Sequence, residues 1–406
     1  MKGETIMKKV GVIFGGVACE HDVSIITGLQ LIENMDSSKY EVIPIYIHLD
    51  GEWYVGKELL DHALYQDFES KKNTLKKGII LPNKPELMIE GSGIFAKPTY
   101  IKLDVVIPAM HGMNGEDGTL QGLLELSGIP YTSSGVLGAS TGMDKIVMKK
   151  IFEANHIPVL PYTYFLRGEW EKNRETILEK IEQELTYPMF VKPSNLGSSI
   201  GISKAKDRAG LIEAIEVAIC YDERIIVEHG VDNLTEVNCS ALGRADDIRV
   251  SVCEQPLNWA EFLTFEDKYL HGSKSAKGQA TKLQGSKGGM SSMTRKVPAD
   301  ISETQTQEVK EYTKQAFRAL NAKGVSRIDF IIDNEDGKVY VNEINTIPGS
   351  FAFYLWEYQN EMSYPELIDE IIRIAEEEHA EKQKNTFTYQ SALIHQQTFC
   401  GTKMRK

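Results

Sequence analysis

Arg327-Ile328-Asp329-Phe330-Ile331-Ile332-Asp333-Asn334-Glu335-Asp336-Gly337-Lys338-Val339-Tyr340-Val341-Asn342-Glu343-Ile344-Asn345-Thr346-Ile347-Pro348-Gly349-Ser350 is the stretch around which the rest of the chain is ordered. Residues 328–332 and 338–341 read as two strands, and Asn334-Glu335-Asp336-Gly337 between them is a hairpin turn signal. Side chains alternate faces along a strand, so Arg327 and Asp329 share one face, and Glu343 and Asn345 share one face. Paired antiparallel, the two strands present Asp329, Glu343 and Asn345 as adjacent oxygen ligands. That set suits Mg²⁺, which takes carboxylates together with nucleotide phosphates. A surface salt-bridge network is the alternative, and it accounts poorly for the apolar neighbours Ile328, Phe330 and Ile344.

Working outward, Phe190-Val191-Lys192-Pro193-Ser194-Asn195-Leu196-Gly197-Ser198-Ser199-Ile200-Gly201 has a buried strand delivering Lys192 to a Gly/Ser loop. Such a loop offers N–H groups and hydroxyls to phosphate oxygens, or is a plain surface turn. His111-Gly112-Met113-Asn114-Gly115-Glu116-Asp117-Gly118 follows an apolar strand directly, beyond its carboxyl end, where open α/β sheets bind ligands. It reads equally as a turn whose Asp caps the next helix. Glu20, immediately before a helix, either caps that helix or holds a ligand ammonium. Gly15-Gly16 lacks the G-x-G-x-x-G spacing of a dinucleotide site.

The chain has 406 residues, 42% hydrophobic and 25% charged, enough for two or three domains with their own cores. Lys plus Arg total 45 against 58 Asp plus Glu, and the net charge of −13 opposes a general nucleic-acid or anionic-membrane surface. Cys19, Cys220, Cys239, Cys253 and Cys400 form no C-x-x-C pair and read as reduced core thiols of an intracellular protein. The N-terminal apolar run is cut by Gly15 and Gly16, so no signal peptide or membrane span is expected. Apolar runs at 10–14, 40–47 and 103–109, alternating with helices from Ser24 and about Thr119, predict a parallel sheet covered on both faces. A smaller α/β unit begins near Gly138, with an amphipathic stretch over 143–155. A third unit is richer in paired strands, and a helix from Tyr364 to about Lys382 closes it.

In order over roughly residues 7–380, these segments resemble the D-alanine–D-alanine ligase family of the ATP-grasp superfamily. The resemblance implies an α/β, three-lobed ATP-grasp fold. Its lobes are an N-terminal parallel-sheet lobe (1–137), a central lobe (138–229) and a C-terminal lobe (230–382), followed by a polar tail (383–406). ATP is implied between the central and C-terminal lobes, with two Mg²⁺ ions on its phosphates. By position, Lys145 and Lys192, with Ser199 in the loop, resemble the phosphate-binding groups, and Glu228 and Glu236 resemble the carboxylates for the adenine amine and the ribose. Lys268 resembles a lid lysine reaching the γ-phosphate. Asp329, Glu343 and Asn345 match the metal ligands, and Arg327 with the Gly349 amide matches the group that stabilises the tetrahedral intermediate. Glu20, Ser198 and Tyr269 resemble a trio tying the first amino acid to the lid, with His111 beside it.

The implied activity is formation of D-alanyl-D-alanine through an acyl phosphate, for peptidoglycan precursors, in a cytoplasmic enzyme. ATP and D-alanine are its expected partners, nucleic acid and membrane are not, and a homodimer is left open. An acceptor such as D-serine, D-lactate or another amine is the alternative on the same fold. A non-catalytic nucleotide-binding regulatory protein is the alternative of another class, against which the intact Asp329, Glu343, Asn345 set argues.

Two stretches depart from the family pattern. Residues 271–292 are a Gly/Ser/Lys-rich insertion, either a mobile basic cover for phosphates or a solvated loop. After Gly349 stands Ser350-Phe351-Ala352-Phe353-Tyr354-Leu355-Trp356, where the family commonly ends a small polar run in a serine for the acceptor carboxylate. By count from Glu343 that serine falls at Tyr354, leaving Ser350 as the candidate. The aromatic residues either narrow the acceptor pocket or pack the core.

Overall fold

The computed structural model describes residues 7–91, 93, 95–244, 247–257, 295–358 and 361–388. Strands β1 (Lys8–Gly15), β2 (Tyr40–Ile47), β3 (Trp53–Val55), β4 (Lys76–Ile80), β5 (Glu86–Ile89), β6 (Thr99–Lys102) and β7 (Val105–Pro108) form one sheet in the order β6-β5-β4-β3-β2-β1-β7. Strand β1 is covered on both faces. Val10, Val12 and Phe14 pack with Ile25 and Leu29 of the helix His21–Glu33, while Ile13 packs with Leu120 and Leu124 of the helix Thr119–Ser127. Burial of both faces is why the strand reads as a continuous apolar run. The sheet is mixed rather than parallel throughout: β1 pairs in parallel with β2 and β7, whereas β3 to β6 add an antiparallel extension. These strands are short, and β6 is largely exposed, so the sequence marks them weakly.

The second sheet is antiparallel, in the order β10-β9-β11-β8, from β8 (Tyr162–Leu166), β9 (Met189–Pro193), β10 (Ser203–Ala205) and β11 (Arg224–His229). The amphipathic stretch at 143–155 is a helix, Lys145–Ala154, that begins where Asp144 accepts from the Ile146 and Val147 N–H groups at 3.0 and 2.9 Å. The third sheet, β14-β13-β12-β15-β16, comprises β12 (Leu234–Arg244), β13 (Asp247–Pro256), β14 (Arg295–Lys296), β15 (Gly324–Asp333) and β16 (Val339–Asn345). The helix Glu303–Ala319 packs Val309, Ala316 and Phe317 against its apolar face, with Val237, Ile328, Phe330 and Val341. Its other face carries Asn238, Arg327 and Asp329 at one end and the apolar Leu242 and Val325 at the other.

The helix Tyr364–Lys382 joins the first sheet to the third. Leu367, Ile368 and Ile371 share a core with Val10, Phe14 and Ile107, and also with Leu242 and Val325. Tyr40 donates to Asp369 at 2.7 Å along the same seam. Among the described residues no helix is long and apolar enough to cross a membrane, and no disulfide is present. Cys239 and Cys253 are buried as expected, but Cys19 and Cys220 are exposed rather than core thiols.

Candidate active site

The hairpin forms, with a break in register between Asp329 and Phe330 that the sequence does not mark. Arg327 pairs with Asn345 and Asp329 with Glu343 across β15 and β16. On the next strands Asn238 lies opposite Asp329, and Glu254 opposite Asn238. One row across the sheet therefore carries Glu254, Asn238, Asp329 and Glu343. Arg327 grips Asp329 through Nε and Nη2 at 2.7 and 2.8 Å, and Asn345 Nδ2 donates to Asp329 Oδ2 at 3.0 Å. Burial disfavours the Arg327 charge, but the Asp329 carboxylate outweighs it and holds the guanidinium charged. Two carboxylates directly opposite one another with an amide alongside form an all-oxygen donor set. That chemistry fits a hard divalent cation sharing its shell with phosphates.

Lysines converge from the second sheet and from the helix Lys145–Ala154. Lys145 donates to the Leu196 carbonyl at 2.8 Å, and its Nζ stands 3.3 Å from Glu343 Oε2, which links the helix start to the hairpin. Lys192 lies 2.5 Å from Glu228 Oε2 and donates to Asn342 Oδ1 at 3.3 Å. Lys149, fully buried, lies 3.1 Å from Glu228 Oε1. Burial alone would raise the Glu228 pKa, but Lys149 and Lys192 together pull it down to about 2. Both Glu228 oxygens thus face lysines, while Glu236 is exposed on β12 opposite Ile331. Lys149 is one residue that sequence reading missed. Its signal was available, one helical turn after Lys145 on the same face.

The loop after β9 is anchored at its base and reaches the N-terminal lobe at its tip. Ser194 Oγ donates to Asp144 at 2.9 Å, and Asn195 N–H donates to Asp222 at 2.8 Å. Ser198 and Ser199 adopt φ of 51° and 60°, and Ser198 Oγ donates to Glu20. The Glu20 carboxylate makes no cap hydrogen bond to its own helix, so of its two sequence roles capping is not the one seen. It is seated between two glycines. A Cβ on Gly112, where φ is +69°, would come within 2.0 Å of Glu20 Oε2, and one on Gly197 within 2.9 Å of Oε1.

His111 is buried, with Nδ1 at 2.9 Å from the Ile347 carbonyl and Nε2 at 2.8 Å from Thr27 Oγ1. Burial lowers its pKa to about 4. Glu116, quoted in the motif but given no role there, accepts from Gly112 N–H at 3.0 Å and Ile347 N–H at 2.8 Å. Burial, with Glu20 nearby, raises its pKa to about 7.

Past Gly349 the run divides. Phe351, Leu355 and Trp356 are buried, and Phe353 stacks on Tyr364 with ring centroids 4.4 Å apart. Tyr354 instead donates to Glu254 at 2.9 Å, and Arg295 covers its ring at 4.0 Å. The Ser350 hydroxyl is buried and donates to Gln30 at 2.6 Å. Lys268, Tyr269 and the insertion 271–292 lie outside the described residues.

Comparison with known proteins matches residues 9–134 to the D-ala D-ala ligase N-terminus family and residues 151–373 to the D-ala D-ala ligase C-terminus family. The chain is 40% identical to a D-alanine–D-alanine ligase of Bacillus cytotoxicus over 94% of its own length and 99% of that protein's. It is 38% identical to one of Caldicellulosiruptor bescii over 92% and 96%. Among solved structures, it resembles the D-alanine-D-alanine ligase of Coxiella burnetii with a TM-score of 0.75, 26% identity, and coverage of 93% of this chain and 96% of that one. The D-Ala:D-Ser ligase of Enterococcus faecalis matches with a TM-score of 0.73, 29% identity, and coverage of 91% and 99%.

Proposed function

We infer the reaction from the premise that this chain belongs to the D-alanine–D-alanine ligase family: it is an ATP-dependent ligase that joins two D-alanines into D-alanyl-D-alanine for peptidoglycan precursors. The carboxylate of the first D-alanine attacks the γ-phosphorus of ATP, ADP departs, and an acyl phosphate remains. The second D-alanine, deprotonated from ammonium to amine, attacks the acyl carbon, phosphate leaves, and the nitrogen gives up one more proton to solvent while keeping one as the amide N–H. Splitting amide synthesis in this way replaces one difficult step with two accessible ones.

The observation that carries the residue assignment is the hairpin face, with Arg327 locked to Asp329 and Lys145 3.3 Å from Glu343. In this reading Asp329, Glu343 and Asn345 hold Mg²⁺, two ions in all, which supplies charge neutralisation at the phosphates when bound. Lys145, Lys192 and the Ser199 loop face the phosphates, with Lys268 reaching them from the segment that follows β13. Lys149 holds Glu228 in place behind Lys192, and Glu228 and Glu236 border the nucleoside. Arg327, pre-set by Asp329, and the Gly349 N–H meet the oxygen that gains charge on the acyl carbon. Glu20 receives the ammonium of the first D-alanine, with Ser198, Tyr269 and His111 assigned to the same subsite by the family resemblance. Ser350 is the candidate for the acceptor carboxylate, and its hydroxyl donates to Gln30 in this arrangement.

The test is ADP release with D-alanine, D-serine and D-lactate as acceptors and D-alanine as donor, with product masses measured. The expected result is D-alanine-dependent ADP release and the D-alanyl-D-alanine mass. A preference of about a hundredfold for another acceptor, equivalent to about 2.7 kcal/mol, would overturn the D-alanine assignment and leave the ligase chemistry standing.

A further inference from the structure

We propose that the turn carrying Gly349 is set from the N-terminal lobe by a closed ring of hydrogen bonds, and that Thr27 and Glu116 are positioning residues for the reaction centre, an inference that rests on the placement of Gly349 in that centre. The turn needs outside support. Ser350, Phe351 and Ala352 adopt φ of 49°, 55° and 50°, three consecutive residues with side chains in the left-handed region. That backbone is unfavourable for L-residues and persists only where the surroundings over-determine it. Within the turn, Phe351 N–H donates to the Pro348 carbonyl at 2.8 Å.

The remaining hold comes from the first lobe. Ser350 N–H donates to Thr27 Oγ1 at 3.3 Å, and Thr27 projects from the helix His21–Glu33. Thr27 Oγ1 and His111 Nε2 are 2.8 Å apart, and His111 Nδ1 is 2.9 Å from the Ile347 carbonyl. A carbonyl only accepts, so Nδ1 carries the ring proton. In the neutral ring Nε2 then accepts, and the Thr27 hydroxyl is its donor. The chain of donors runs one way, from Ser350 N–H to Thr27, from the Thr27 hydroxyl to His111, and from His111 to Ile347. A second proton on His111 would reverse its middle link.

Glu116 completes the grip. It accepts the Ile347 N–H at 2.8 Å and the Thr346 hydroxyl at 3.4 Å on one oxygen, and the Gly112 N–H at 3.0 Å on the other. Both polar main-chain atoms of Ile347 are therefore held by the loop that follows β7. Gly349 thus lies between two residues, Ile347 and Ser350, whose main chain is held by residues more than two hundred positions earlier, with separations of 236, 231 and 323. His111 acts in this ring as a strut.

Thr27→Val removes the hydroxyl at nearly constant shape, and Thr27→Ser keeps it. The expected result for Thr27→Val is a fall in kcat of about tenfold or more with KM for ATP within about twofold, since a misplaced group costs rate more than nucleotide binding. Thr27→Ser should stay within about threefold of wild type. Amide exchange over residues 347–356 should quicken in Thr27→Val and not in Thr27→Ser. Wild-type kcat and exchange in Thr27→Val, or failure of Thr27→Ser to restore them, overturns the proposal. Nitrogen chemical shifts of His111 in the wild-type protein judge the ring without any substitution. A neutral ring with Nδ1 protonated down to pH 5 supports it, and titration near the ordinary histidine value sinks it. A wild-type protein without D-alanine-dependent ADP release would defeat the reading of the activity, while exchange and the histidine spectrum would still decide the ring.

Discussion

Glu228 and Glu116 are both buried, and the regions around them treat a carboxylate in opposite ways. Around Glu228 the central sheet and the helix Lys145–Ala154 bring Lys149 and Lys192 onto its two oxygens, and despite burial its pKa falls to about 2. Around Glu116 the partners are main-chain N–H groups and a threonine hydroxyl, and burial beside Glu20 raises its pKa to about 7. The first region stores fixed charge, which suits a side of the cleft that meets phosphates. The second uses a carboxylate to hold main chain in shape, which suits a side that orients small amino acids.

The contrast is open to direct attack. Lys149→Met should cost about 3–5 kcal/mol of stability, because it leaves a buried carboxylate short of one partner. Combining it with Glu228→Leu should recover part of that loss, and urea unfolding of both variants checks the pair. The pH dependence of the two carboxylates should have opposite signs. Glu228 is depressed on folding, so its contribution is present above its unfolded value near 4.5 and lost as pH falls toward about 2. Glu116 is raised, so its contribution is full below about 4.5 and is lost as pH rises through about 7. The stability of wild type relative to Glu116→Gln should therefore drop by about 3 kcal/mol between pH 4.5 and 8, and a flat difference would remove the contrast.

Glu343→Gln should lower ADP-forming turnover about a hundredfold, about 2.7 kcal/mol, while the protein stays folded. Turnover near wild type would detach the hairpin from the metal. Tyr354→Phe should have the smallest effect, about 1 kcal/mol in stability, since Glu254 keeps Asn238 and Arg295 as partners. If Tyr354 also borders the acceptor, its KM for the acceptor rises while that for ATP does not, and equal changes in both would place Tyr354 in the scaffold alone.

What was legible in the sequence follows from how far each signal reaches. The two strands and the turn between them could be read because alternation and a four-residue turn are local, whereas the break in register between Asp329 and Phe330, which sets Asp329 opposite Glu343, carries no residue signal. The closing helix could be read from its apolar period, and Ser363 with Glu366 marks its start. The antiparallel extension β3 to β6 was missed because short, partly exposed strands lack a strong period. The partners of Glu116 and His111 were invisible because a main-chain N–H or carbonyl carries no residue identity, and Ile347 lies 231 and 236 positions away. The aromatic run after Gly349 had two readings, and packing separates its members: Phe351, Leu355 and Trp356 go to the core while Tyr354 turns to the polar row.

The helix Tyr364–Lys382 has a consequence for how the protein is made. Leu367, Ile368 and Ile371 share one core with Val10, Phe14 and Ile107, so a core begun by the first strand is completed only by the helix at 364–382. Until the final helix emerges, that core has only the cover of the helix His21–Glu33 and its neighbours, and the long wait favours shelter by a chaperone over early independent folding. Ribosomes stalled before codon 364 should display a nascent chain that is sensitive to protease in β1 and β7, and release of the full chain should protect both strands together.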